Sequence, residues 1–183
     1  KSIHPLEGSA LMASLFGVSG TGKSRTVTNA CAAYPNVVLH RTFPLLVGPF
    51  KQLVHLKADV PESGKLVDFV TGLMERTDEL LETGRFEKDL ALAKKSAIPL
   101  MRKWMQVAKS HFLGLLVIDE IQNLFQIPRL KERRSGARSN EPMVTVRDDE
   151  LLKCILTLSN AAAIPILVAG TPDGLAALKA RLS

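Results

Sequence analysis

The chain of 183 residues is long enough for one hydrophobic core and too short for two comfortable domains. With 46% apolar and 23% charged residues it reads as an ordinary globular protein, and no run of about eighteen uncharged apolar residues offers a membrane span. Its formal net charge of +6 is compatible with a polyanionic partner, DNA above all, and says nothing about fold. No apolar core follows Lys1 to Pro5 at signal-peptide length, and Cys31 and Cys154 lack metal-ligand spacing, so a reducing cytoplasm is expected. The missing initiator Met and the helical pattern at the last residues predict that 1–183 is a single α/β core trimmed from a longer protein.

Leu11 to Phe16 reads as the first strand, apolar enough to be central and buried on both faces. Gly17-Val18-Ser19-Gly20-Thr21-Gly22-Lys23-Ser24 follows with the spacing G-x-x-x-x-G-K-[ST], and Arg25 opens a helix to about Ala33. The residue types match the binding of a triphosphate. Glycines let successive backbone N–H groups converge on one anion, and the helix N-terminus adds unpaired donors and a favourable dipole. Lys23 is placed to reach the β- and γ-phosphates, and the Ser24 hydroxyl to ligate Mg²⁺. The candidate nucleotide site is therefore Gly17, Val18, Ser19, Gly20, Thr21, Gly22, Lys23, Ser24 and Arg25, with ATP and Mg²⁺ as its ligands.

Val37 to Arg41 and Gln52 to Asp59 both read as strands, joined through Pro44, Gly48 and Pro49. The second alternates apolar with polar, as a half-exposed edge strand does. Leu66, Phe69, Val70, Leu73, Met74, Leu80 and Leu81 recur at helical spacing, which predicts an amphipathic helix stopped by Gly84. A further helical stretch carries Phe86 and Leu90 and, past a kink or restart at Pro99, Met101, Trp104 and Met105. Trp104 is expected in the core or at a subunit contact.

Phe112 to Glu120 is an apolar run ending in two acids, the pattern of a buried parallel strand. Beside the phosphate loop, Asp119 is placed to hold Mg²⁺ and Glu120 to orient and deprotonate an attacking water. The stretch 126–146 is basic and turn-rich. It is either a solvated loop or a contact with DNA phosphate or protein. Asp148, Asp149 and Glu150 read as caps of the next helix, which carries Leu151 to Leu158. Ile164 to Ala169 is another buried strand, and Thr171 just beyond it is the candidate to touch the γ-phosphate or the attacking water. Asp173 to Leu182 begins one more helix.

With the loop, the Asp-Glu strand and the Thr-ended strand in this order, the sequence resembles the AAA+ ATPases. More narrowly it is similar to TnsC and TniB, ATP-dependent target-selection regulators of cut-and-paste transposons. Besides the loop, the resemblance rests on Gln52 to Pro61, on Leu116-Val117-Ile118-Asp119-Glu120-Ile121-Gln122-Asn123-Leu124 and on Ile164 to Pro172. It implies a P-loop NTPase fold of the AAA+ type: a three-layer αβα core with a mostly parallel sheet, its C-terminal lid largely absent from this chain. It also implies ATP-bound subunits assembled into a ring or helical filament on duplex DNA, recruitment of a transposase and a target-recognition protein, and disassembly on hydrolysis. By the same resemblance, the segments flanking the helix after the second core strand line the DNA channel, with Lys65 at one end and Thr83, Arg85 and Lys88 at the other. No arginine finger is assigned within the chain. Two other readings of the same loop are a small-molecule phosphotransferase and a nucleotide-gated signalling module that binds protein only.

Overall fold

The computed structural model describes residues 11–42, 48–92, 96–124, 153–160 and 163–175. Four strands, β1 (Met12–Phe16), β4 (His55–Asp59), β5 (Leu115–Asp119) and β6 (Ile166–Gly170), form one sheet in the order β1-β6-β5-β4. Every pairing in it is parallel. Parallel neighbours need long crossovers, and the helices supply them. α1 (Lys23–Ala32) leaves the end of β1, and α2 (Leu66–Leu81), α3 (Glu87–Leu90) and α4 (Ala97–Ser110) lie between β4 and β5 in sequence. The sheet with its alternating helices is the expected P-loop α/β core.

β5 holds the interior. Its residues from Leu116 to Asp119 are all buried, as an apolar run with strands on both sides requires. β1 differs from expectation: among the described residues it is an edge strand of this sheet, and Leu11 and Met12 are exposed. An apolar run reports what a strand can bury, not which neighbour covers it.

The expected strand from Gln52 to Asp59 is two strands. β2 (Val37–His40) and β3 (Phe50–Leu53) pair antiparallel as a separate hairpin, and β4 begins after Val54. The break has a local cause. The Val54 N–H donates to the Asn36 carbonyl at 2.8 Å, while Leu53 donates to the His111 carbonyl at 2.9 Å and accepts from Gly114 N–H at 3.0 Å. The chain thus changes partners at Val54. β4 does hold an outer position in the sheet, with Asp59 exposed and His55 and Leu56 buried.

α2 and α4 bury facing stripes. Phe69, Val70, Leu73, Met74 and Leu81 of α2 and Leu100, Met101, Trp104 and Ala108 of α4 join Leu56, Leu116 and Ile118 of the sheet in one core. Trp104 is fully buried, and its indole N–H donates to the Thr77 hydroxyl at 2.9 Å, which in turn donates to the Leu73 carbonyl at 2.7 Å. Its truncation to Ala would cost roughly 3–5 kcal/mol. Pro99 lies in the first turn of α4, where its missing N–H would have no helical partner, so it marks a restart and not a kink.

α2 ends earlier than Gly84. Glu82 adopts a left-handed φ of 56° at its C-cap, and the Lys51 ammonium donates to the Leu81 carbonyl at 2.7 Å and to the Glu82 carboxylate at 2.6 Å. A cation at a helix C-terminus is favourable, and here it comes from β3. That hydrogen bond, with the Lys51 charge, holds the Glu82 carboxyl below its ordinary range. Residues 153–160 are helical, and 172–175 begin the expected last helix. The basic stretch 126–146 and the acidic caps at 148–150 lie outside the described residues. No helix among the described residues is long and apolar enough to cross a membrane.

Candidate nucleotide site at the carboxyl edge of the sheet

The phosphate loop hangs between the ends of β1 and β6. Gly17 N–H donates to the Gly170 carbonyl at 3.2 Å, which fixes its start. Across the loop the Val18 carbonyl accepts from the Thr21 hydroxyl at 2.7 Å and from the Lys23 ammonium at 2.9 Å. Gly20 and Gly22 take φ values of 81° and 82°, and a Cβ at either would meet nothing within 4 Å. These two positions need glycine for backbone conformation and not for room. Gly22 is the N-cap of α1, with no side-chain cap and no acid in the first turn. The N-terminal donors and the dipole are therefore offered to an anion without an internal competitor.

Asp119 faces this loop from the end of β5, only 2% exposed. Its carboxylate accepts from the Lys57 ammonium at 3.0 Å and from the Glu120 N–H at 2.9 Å. Burial by itself pushes the Asp119 carboxyl up, but the hydrogen bonds from Ser24, Lys57 and Glu120, with the Lys57 charge, together hold it below its usual value. The acid is ionised at neutral pH. A hydroxyl and a carboxylate from the two expected metal positions therefore lie near each other.

Glu120 turns out of the strand at a φ of 57°. Its carboxylate accepts a hydrogen bond from the Gln122 side-chain amide, and the oxygen of the same amide accepts from the Thr171 N–H at 3.2 Å. Asn123 donates to the Val60 carbonyl at 2.9 Å, which ties the short 3₁₀ turn Ile121–Leu124 to the end of β4. The structure thus gathers Lys23, Ser24, Asp119, Glu120 and Thr171 at one edge of the sheet. Arg25 is exposed on α1.

The other candidate residues are elsewhere. Lys65 is exposed at the N-cap of α2, while exposed Arg85 and Lys88 and half-buried Thr83 lie past its other end. A sixteen-residue helix separates the two groups by about 24 Å. The Thr83 hydroxyl already donates to Asp78 at 2.6 Å, so it shapes this turn. Sequence reasoning missed three residues of the site. Lys57 and Gln122 carry no motif role, and Gly170 reads simply as the end of a strand. Lys57 was findable only through the pairing of Asp59 with Asp119, which sequence does not reveal.

The chain matches the family described as an AAA domain over residues 6–178. It belongs to that family. No curated protein matches the chain. This AAA domain is a nucleotide-hydrolysing P-loop ATPase. Its donor set also fits a magnesium ion, which takes hard oxygen ligands and binds through one or two carboxylates plus substrate phosphates and water. Ser24 and Asp119 supply such oxygens, and among the described residues no cluster of three or more His, Cys, Asp or Glu offers a softer or fuller cage.

Proposed function

We propose that this AAA domain is the ATP-hydrolysing core of a regulator of DNA transposition, similar to TnsC and TniB. It assembles on duplex DNA in its ATP-bound state and recruits a transposase and a target-recognition protein. The observation that carries the hydrolytic part is the parallel order β1-β6-β5, which sets the start of the phosphate loop and the Asp119-Glu120 pair at the same edge of the sheet. The Asp119-Glu120-Ile121-Gln122-Asn123-Leu124 stretch and the exposed Lys65, Arg85 and Lys88 support the DNA part.

The chemistry follows from the side chains. The loop amides and Lys23 bind the phosphates and balance their charge. Ser24 and Asp119 would hold magnesium, which when bound neutralises phosphate oxygens. Glu120 accepts a proton from water as the water oxygen bonds to the γ-phosphorus. The bond from that phosphorus to the β,γ-bridging oxygen breaks, leaving ADP and inorganic phosphate. In this reading the Thr171 side chain contacts the γ-phosphate or that water. Lys65, Arg85 and Lys88 would meet DNA phosphates without regard to sequence, in a salt-dependent way.

The deciding experiment uses Glu120→Gln. ATP binding should persist while turnover falls by a factor on the order of 10² or more, and oligomers on duplex DNA should become long-lived. Parent-like hydrolysis would remove Glu120 as the base. For the DNA part, replacing Lys65 and Arg85 by Glu should weaken binding to every duplex and flatten its salt dependence. An unchanged affinity and slope would reject that part alone.

A further inference from the structure

We propose that Gln122 is a positioning residue for hydrolysis: one side-chain amide holds the Glu120 carboxylate and couples it to the end of β6 at Thr171. The inference rests on the reading of Glu120 as the base.

The amide has a donor end and an acceptor end, and both are used. The NH₂ group donates to the Glu120 carboxylate, a charge-assisted bond, and the oxygen accepts from the Thr171 N–H at 3.2 Å. Glu120 sits at a φ of 57° between the rigid end of β5 and the 3₁₀ turn. Its own backbone therefore gives the carboxylate little definition, and the aim comes from Gln122. The turn that carries Gln122 is itself pinned. Ile121 is fully buried, and Asn123 holds the Val60 carbonyl at 2.9 Å.

Two glycines provide an independent mark of the same contact. A Cβ at Gly170 would fall 2.4 Å from Ile121 Cγ2 and 2.9 Å from Gln122 Oε1. One at Gly174 would come within 3.3 Å of the Gln122 backbone. The chain on either side of Thr171 is thus bare where the 3₁₀ turn packs against it, and that closeness is what allows Gln122 to span from acid to strand. Gly170 also accepts from the Gly17 N–H, so the end of β6 touches both the phosphate loop and the turn that aims the acid. A nucleotide that moves this strand end moves the Glu120 carboxylate with it.

The test measures ATP hydrolysis and the affinity for a fluorescent ATP analogue on the whole chain. Gln122→Ala should lower kcat about tenfold to a hundredfold, with KM and analogue affinity within about twofold of the parent. In the Glu120→Gln background the same change should add nothing, because Gln122 acts through Glu120. Gln122→Glu keeps the shape and puts a second carboxylate beside Glu120. The donor that holds the Glu120 carboxylate is then lost, so kcat should fall about as far as in the alanine variant. This near-isosteric variant also decides the matter should the alanine variant fail to fold. Equal losses in both backgrounds, or parent-like kcat in Gln122→Ala or Gln122→Glu, would each overturn the inference while Glu120 stays the base. Parent-like turnover in Glu120→Gln would overturn both.

Discussion

The Lys57 ammonium lies 3.0 Å from the Asp119 carboxylate and 3.8 Å from that of Asp59, on the strand beside the one that carries Asp119. Asp59 pairs with Asp119 in the ladder, and Lys57, two residues earlier, shares their face. The protein thus supplies its own cation at the acid expected to bind magnesium. Against burial, which raises the carboxyl, the donors prevail and the folded-state value is depressed. The stabilisation from Asp119 is therefore full above its ordinary value and is lost as pH falls through the lower folded value.

Lys57→Met removes the charge and keeps most of the stem. We expect a loss of about 1–3 kcal/mol at pH 7 in urea unfolding, the range for a charged partner of a buried acid. The Lys57 side chain is 31% exposed, which keeps the loss at the lower end. Without this donor the Asp119 carboxyl rises, so acid unfolding should begin at higher pH. Saturating MgATP should narrow the difference in Tm between parent and variant, since a second cation then serves Asp119. A gap that stays constant or widens with MgATP would mean that the two cations do not share this acid.

Gly170→Ala tests the closeness of β6 to the 3₁₀ turn. The added methyl meets the fully buried Ile121 side chain, which cannot swing aside. Overpacking of this kind costs about 1–3 kcal/mol. Gly174→Ala, whose contacts are 3.2 and 3.3 Å, should cost less in the same thermal melts. The reverse order would place the tight contact elsewhere.

The phosphate loop was legible because most of its constraints are local: Thr21 and Lys23 close on the Val18 carbonyl within the same eight residues, and Gly20 and Gly22 take the left-handed backbone that glycine favours. β5 was legible for a similar reason, an uninterrupted apolar run with acids at its end. What failed depended on distant partners. The break at Val54 comes from Asn36, His111 and Gly114, and the end of α2 at Glu82 from Lys51, some thirty residues away. Lys57 and Gln122 belong to the site only because β4 and β6 flank β5, an order that no local pattern encodes.

Asp78 organises the turn that leaves α2. Nearly buried, it accepts from the Thr83 hydroxyl at 2.6 Å, the Arg85 N–H at 3.1 Å and the Phe86 N–H at 2.9 Å. Asp78→Ala leaves these donors unmatched, at about 2–4 kcal/mol. Hydrogen exchange should then quicken at Arg85 and Phe86 more than in α4. Uniform change across both would show a global loss instead of a loosened turn.

The two thiols give a check on the 153–160 helix. Cys154 is buried there, and burial pushes its thiol up to about 12. At pH 8 roughly one molecule in ten thousand would carry the thiolate, the form that reacts with iodoacetamide. Cys31, half-buried on α1, is accessible to the reagent. Peptide mass spectrometry of the native protein should find Cys31 modified and Cys154 intact until denaturant is added. Native labelling of Cys154 at a comparable rate would require the 153–160 helix to leave the core without global unfolding. Ile155 and Leu158, buried against the same core as Leu116 and Ile166, oppose that opening. Ile155→Ala should therefore raise Cys154 labelling while Cys31 labelling stays as in the parent.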